Sequence, residues 1–258
     1  MMRKSPIRHL RAVLRVIALC SVTACLYLLW LAVAPFVMSS PGGLRRWRAL
    51  IFRAWARAVC RVAGMRTRLT GAAPSGAFLL VTNHLSYMDV VALASRLDCV
   101  FVAKSEVASW PVVGTLCRSM NTIFVNRRNR RRLPEVLGRI ERVIAGGSGV
   151  VLFAEGTSTG GADVAPFRPS LLELAARKRT PVHFASLSYR TPAGEAPARE
   201  AVCWWGDMTF LRHLYALLTL PGFDADLAFG EQPIQESDRK TLARRLWSAV
   251  NAQFIPVV

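Results

Sequence analysis

Residues 16–38 form a run of 23 positions without one charged side chain. At ~1.5 Å per residue a helix over that run measures roughly 35 Å, about the thickness of a bilayer's hydrocarbon core. No other feature constrains the chain as strongly, because it makes a membrane-embedded helix the first element. A cleaved signal peptide does not account for it. The run is too long, and Pro35 follows the small-residue site Ala32-Val33-Ala34 where cleavage is expected. A single straight crossing meets a different difficulty. Arg3, Lys4, Arg8, Arg11 and Arg15 precede the run, while Arg45, Arg46, Arg48 and Arg53 follow it. The positive-inside tendency holds both flanks in the cytoplasm. A segment that enters one leaflet and returns, bending near Pro35 or at Pro41-Gly42-Gly43, resolves the conflict. The expected location is the cytoplasmic face of a membrane, a bacterial inner membrane in type.

The next stretch, 44–62, has helical spacing. Arg46, Arg53, Arg57 and Arg61 fall near one face, and Trp47, Leu50, Ile51, Ala54 and Val62 on or near another. Such a basic amphipathic helix, with Trp47 and Trp55, suits an anionic lipid surface, and the alternative is an ordinary solvated Arg face. The charge is uneven. Thirteen of the 34 Lys and Arg lie at or before Arg68, and Asp89 is the first acid; the remainder holds 21 bases and 16 acids. Nucleic acid would explain the charge but not the uncharged run beside it, so anionic membrane lipids are the expected partner and nucleic acid is not. The six cysteines form no C-x-x-C pair and read as reduced and structural. His9, His84, His183 and His213 stand at no ligand spacing to them, so no metal site is expected.

From Arg66 the pattern changes to short β-rich runs alternating with helical ones. Strands are expected at 77–82, 100–103, 122–125, 150–153, 182–187 and 201–205, and helices at 90–96, 134–144, 171–178, 210–218 and 239–252. The alternation predicts an α/β domain with a mixed, largely parallel sheet flanked by helices. The expected organisation is an N-terminal membrane-anchoring segment, 1–65, holding the apolar helix 16–38 and the basic helix 44–62, followed by a catalytic domain at 66–258.

Three patches carry chemistry. Asn83-His84-Leu85-Ser86-Tyr87-Met88-Asp89 follows a strand and precedes a helix, the position where α/β sheets bind and react with ligands. A carboxylate on one imidazole nitrogen orients the ring, stabilises its protonated form and leaves the other nitrogen as a base. The bland alternative for His84 is a helix cap or a satisfied core histidine. Phe124-Val125-Asn126-Arg127 ends a second strand with a guanidinium able to grip phosphate bidentately, unless Arg127 only opens the solvated run through Arg132. Val150-Val151-Leu152-Phe153-Ala154-Glu155-Gly156-Thr157 ends a third in a carboxylate and a turn glycine. Glu155 is placed to accept substrate hydroxyls or to pair with Arg127, and the alternative is a structural turn residue.

In this order the patches resemble the glycerolipid acyltransferases typified by 1-acylglycerol-3-phosphate acyltransferase. That family's signature is N-H-x-x-x-x-D, F-x-x-R, P-E-G-T and a short Pro-Val strand, matched here by Asn83-His84 with Asp89, Phe124 with Arg127, Glu155-Gly156-Thr157, and Pro181-Val182. Lys104 and Trp110-Pro111-Val112-Val113-Gly114 also look like family surroundings. The resemblance implies His84 as general base and Asp89 as its orienting partner. It implies Arg127, helped by Lys104, on the acceptor's phosphate, and Glu155, Gly156 and Thr157 shaping the acceptor site. Two positions depart from the pattern: Ala154 replaces the usual proline, and Ser158 stands where arginine is common.

The implied reaction moves a fatty acyl group from acyl-CoA or acyl carrier protein to the free hydroxyl of a lysolipid. It needs no cofactor, since the thioester is a co-substrate, and no acyl-enzyme, because both substrates can be held together. The expected acceptor is 1-acylglycerol-3-phosphate. Ser158 keeps open a non-phosphate lysolipid such as lyso-ornithine lipid. A remoter alternative is a serine hydrolase, since Gly156-Thr157-Ser158-Thr159-Gly160 matches G-x-S-x-G; that elbow requires a helix to begin at the serine.

Overall fold

The computed structural model describes residues 6–40, 42–126 and 129–257. The chain opens with two helices, α1 (Pro6–Val37) and α2 (Gly43–Ala63). The elements that follow are β1 (Met65–Thr70), β2 (Leu79–Thr82), α3 (Met88–Ala94), β3 (Cys99–Lys104), α4 (Val113–Ser119), β4 (Ile123–Val125), α5 (Leu133–Ala145) and β5 (Gly149–Phe153). After these come α6 (Glu173–Arg177), β6 (Val182–Arg190), α7 (Ala198–Ala201), α8 (Phe210–Thr219), β7 (Phe223–Phe229) and α9 (Arg239–Gln253).

The seven strands form one sheet in the order β1-β7-β6-β2-β5-β3-β4. Only β6 and β7 pair antiparallel; the other neighbours are parallel. Alternate side chains feed two cores, as the two-residue period of a strand requires. Leu80, Phe101 and Val151 pack on one face with α2, α3 and α8, while Leu79, Val81, Val100, Val150 and Leu152 pack on the other with α5, α6 and α9. The strands are apolar on both faces because helices cover both, which bears out the mixed, largely parallel α/β expectation.

Two strands and two helices go beyond the sequence reading. β7 buries Phe223, Ala225, Leu227 and Phe229, but its alternate positions are Asp224 and Asp226, charges that disguised it. Those charges are partnered: Asp224 pairs with Arg66 at 2.7 Å and Arg68 at 2.8 Å on β1, and Asp226 with Arg190 at 2.9 Å on β6. The expected strand at 201–205 is a correction. Residues 198–201 are the short helix α7, and Cys203-Trp204-Trp205 continues as loop, with Cys203 buried in the core on one face of the sheet and Trp204 N donating to Leu85 O at 2.8 Å. α4 was likewise not foreseen.

The apolar run up to Val37 lies inside α1, which continues through Pro35; α2 follows from Gly43 after Gly42 at φ 71°, and Pro41 of the expected bend lies outside the described residues. Among the described residues α1 is the one helix long and apolar enough to cross a membrane, with a mean hydropathy of 2.4 over an 18-residue stretch. It lies along α2 and α8. Arg8 pairs with Glu195, Arg11 donates to Thr219 O, and Arg15 donates to Leu218 O, Leu220 O and Pro221 O. Tyr27 reaches Ser119, and the Trp55 indole donates to Thr23. The outward side of α1 leaves Ile7, Leu10, Leu14, Ile17, Leu28, Leu31 and Phe36 exposed, a stripe at helical spacing. α2 is bound into the body on its other side, with Ile51, Ala56, Val59, Cys60 and Ala63 buried and Arg57 donating to Ser95 O.

Candidate active site

Register builds the site. Thr82 at the end of β2 pairs with Phe153 at the end of β5, so His84 and Glu155, each two residues further on, face one another beyond the sheet's carboxyl edge. Asn83 holds the exit of β2: its side chain accepts from Leu187 N at 2.8 Å and donates to Leu187 O at 2.9 Å.

His84 Nδ1 stands 2.7 Å from Asp89 Oδ2. The same oxygen accepts from the backbone N–H of Leu85 at 2.7 Å and of Ser86 at 3.0 Å, and Oδ1 accepts from the Tyr189 hydroxyl at 2.6 Å. Asp89 is fully buried and lies in the first turn of α3. A carboxylate surrounded by donors is an acceptor throughout, so Nδ1 carries the proton and neutral His84 presents a bare Nε2. The histidine side chain is 22% exposed while its partner is sealed. The ring stacks on Phe153 with centroids 4.1 Å apart, which fixes its plane. A general base asks for this combination: one nitrogen oriented and charge-compensated, the other open.

Glu155 is 3% exposed. Its Oε1 accepts from His84 N at 2.5 Å and its Oε2 from Ala165 N at 2.9 Å, so it ties the His84 segment to the segment after β5. Burial pushes its pKa up to about 7; the two backbone N–H groups pull it down, and Asp89 and Asp163 add to the rise. Gly156 takes φ +80°, a backbone conformation that strains any L side chain, so the turn calls for glycine; the Arg168 side chain lies over it. Thr157 is exposed beside it. Lys104, ending β3, holds its ammonium 5.9 Å from the Trp204 ring centroid, and Trp204 N donates to Leu85 O, next to His84. The structure thus gathers His84, Asp89, Glu155, Gly156, Thr157 and Lys104 along one edge. Arg127 lies outside the described residues.

Tyr189 and Arg168 were missed. Tyr189 lies 100 residues beyond Asp89 in sequence, on a strand expected to stop at 187, and its partnership exists only in three dimensions. Arg168 follows a long irregular segment and carries no local signal. The hydrolase alternative lacks its elbow, since no helix begins at Ser158. Of the two histidines downstream of Ser158, His183 sits at the amino end of β6, on the far edge, and His213 bonds Tyr87 at 2.9 Å. No group of three or more metal-ligating side chains occurs among the described residues.

The family model described as Acyltransferase matches residues 64–188, from β1 into β6. A lyso-ornithine lipid O-acyltransferase of Brucella abortus is 32% identical over 90% of this chain and 91% of its own length. The chain belongs to this acyltransferase family. A lyso-ornithine lipid O-acyltransferase of Rhizobium meliloti is 34% identical over 79% of the chain and 69% of its own length. A 1-acyl-sn-glycerol-3-phosphate acyltransferase of Neisseria gonorrhoeae is 26% identical over 69% of each. The 1-acyl-sn-glycerophosphate acyltransferase of Thermotoga maritima, a solved structure, shares the fold at TM-score 0.68 and 19% identity, over 95% of this chain and 97% of that one. This acyltransferase therefore keeps the fold, with its His84–Asp89 pair at the sheet's carboxyl edge and a long apolar N-terminal helix.

Proposed function

We propose that this lysolipid acyltransferase O-acylates a lyso-ornithine lipid, drawing the acyl group from acyl-CoA or acyl carrier protein. What carries the acceptor assignment is that relatives named for that lipid match at 30–34% over 69–91% of their own lengths, against 26% over 69% for the glycerophosphate relative. Ser158, where arginine is common in the glycerophosphate pattern, points the same way. The chemistry belongs to the dyad. His84 Nε2 removes the acceptor hydroxyl's proton as that oxygen attacks the thioester carbonyl, and Asp89 stabilises the resulting imidazolium. The tetrahedral oxyanion collapses, the C–S bond breaks, and the leaving thiolate takes the proton back from His84. Glu155 acts through the backbone of His84, with Gly156 and Thr157 shaping the turn beside it. Lys104 and Arg127 are the proposed cations for the acceptor's anionic group, the ornithine carboxylate here or a phosphate in the competing reading.

The proposed organisation is an anchor over residues 1–65 and a catalytic domain over 66–258, with α1 lying in one leaflet of the cytoplasmic face. The exposed apolar stripe on α1 and the docking of its arginines on the body support a helix that lies along the membrane rather than leaving the body to cross it. The test offers the purified protein labelled acyl-CoA and acyl carrier protein thioesters with lyso-ornithine lipid and 1-acylglycerol-3-phosphate in parallel. Transfer mainly to the first supports the assignment. Transfer mainly to the second moves it to phosphatidate synthesis with the dyad intact, and thioester hydrolysis without transfer defeats both.

A further inference from the structure

On the opposite edge of the sheet lies a second concave site. An open cavity of about 440 Å³ is lined by Arg45 and Arg48 of α2, Arg139 and Arg142 of α5, and Asn121 and Ser148 before β4 and β5. Ser148 precedes β5 and Glu155 follows its other end, so strand geometry separates this cavity from the catalytic residues by roughly 20 Å. Four guanidiniums converge there.

Their partners are few. Arg45 pairs with Asp98 at 3.0 Å and donates to Gly147 O at 3.5 Å, and Arg142 donates to Gly138 O at 3.2 Å within its own helix. Arg48 and Arg139 make no hydrogen bond or ion pair among the described residues. Burial lowers the pKa of Arg48, Asp98 raises it in part, and Arg45 lowers it again. The cavity lining carries four guanidiniums and no carboxylate, so the cluster is self-repelling and complementary to an anion. Guanidiniums, with their planar fork of donors, fit phosphate oxygens in particular.

Location narrows the source. Gly42, also in the lining, belongs to the turn between α1 and α2. Phe36 is 81% exposed and Met38 65% just before that turn. A basic cavity beside protruding apolar side chains is arranged as a lipid is: anionic head against the arginines, acyl chains along the apolar stripe. We propose that this cavity binds the phosphate group of an anionic membrane phospholipid, seating the α1–α2 turn at the headgroup level. The inference rests on α1 lying on the membrane and is independent of which lysolipid is acylated.

The test titrates the full chain, in neutral detergent, with short-chain phosphatidylglycerol, short-chain phosphatidylcholine and inorganic phosphate, reading binding by calorimetry. Phosphatidylglycerol is expected to bind about tenfold more tightly than phosphatidylcholine. The double variant Arg48→Gln/Arg139→Gln weakens it by about tenfold or more, at about 1 kcal/mol per charge, while the exposed control Arg244→Gln does not. The kcat and KM of acyl transfer stay unchanged in the double variant. If that variant does not fold, Arg142→Gln, altering an exposed side chain, is expected to weaken binding about fivefold. Equal affinity for the two lipids, inorganic phosphate matching phosphatidylglycerol, or a variant that binds as the parent does would each overturn the proposal. A protein inactive toward every lysolipid leaves the titration readable, so the two readings fail separately.

Discussion

The Tyr189 hydroxyl donates to Asp89 Oδ1 at 2.6 Å, on the carboxylate oxygen that His84 does not use. A side chain from β6 thereby holds the orienting carboxylate from behind, in a fully buried setting where an unmet acceptor costs about 1–3 kcal/mol. Tyr189→Phe keeps the ring against Phe223 and removes only the donor. It is expected to fold, with kcat about tenfold lower and both KM values little changed. A purely structural tyrosine predicts lower stability with kcat intact, so steady-state kinetics beside a melting curve separate the two.

The dyad itself sets a larger effect. His84→Ala and Asp89→Asn are expected to lower kcat by roughly 10²–10⁴-fold, the usual contribution of a general base. Asp89→Asn has a further cost, because the carboxylate accepts from four donors. An amide in its place turns one acceptor into a donor and faces at least one of them wrongly. Ser158→Ala is expected to retain most activity. Near-normal turnover by a folded His84→Ala protein would sink the mechanism.

How much of this was legible in the chain depends on the range of each interaction. His84 and Asp89 are five residues apart, and their pairing follows from a strand exit and one helical turn, so sequence alone marks them. The three parallel strands whose ends carry His84, Lys104 and Glu155 were legible because burial on both faces leaves continuous apolar runs. β7 was not, since its charges find partners on β1 and β6 that no local window contains. Tyr189 and the two-ended use of Glu155 are equally non-local. Glu155 is in plain view as a motif residue, but its partners are backbone groups of His84 and Ala165, which side-chain identity does not encode.

Glu155 makes a pH prediction with a definite sign. Its folded-state pKa is raised, from 4.5 to about 7, so the native protein binds a proton more tightly than the unfolded chain. Its contribution to stability is therefore greatest at about pH 4.5 and below, declines as pH rises toward 7, and is flat beyond. The shift corresponds to about 3 kcal/mol, at 1.36 kcal/mol per unit. Glu155→Gln cannot titrate. The difference in unfolding free energy between parent and variant, followed from pH 4.5 to 8, is expected to move against the parent up to pH 7 and then level. A pH-independent difference contradicts the raised pKa.

Arg15 separates two roles for the N-terminal arginines. As a flank of an apolar run it faces lipid phosphate; as the structure places it, its guanidinium donates to Leu218 O at 3.2 Å, Leu220 O at 2.6 Å and Pro221 O at 3.1 Å. Those carbonyls lie at the carboxyl end of α8 and just beyond it, where a helix leaves acceptors unmet and a cation is favoured. Arg15→Met keeps the aliphatic stem and removes every one of these bonds. The expected result is a loss of about 2 kcal/mol of stability in detergent, given that bonds from a charged donor are worth about 1.5–3 kcal/mol. Binding to vesicles rich in phosphatidylglycerol is expected to change little, because that guanidinium is already occupied. A lipid-facing Arg15 predicts the reverse, with weaker vesicle binding and an unchanged melting temperature, so the pair of measurements assigns this residue to the body or to the membrane.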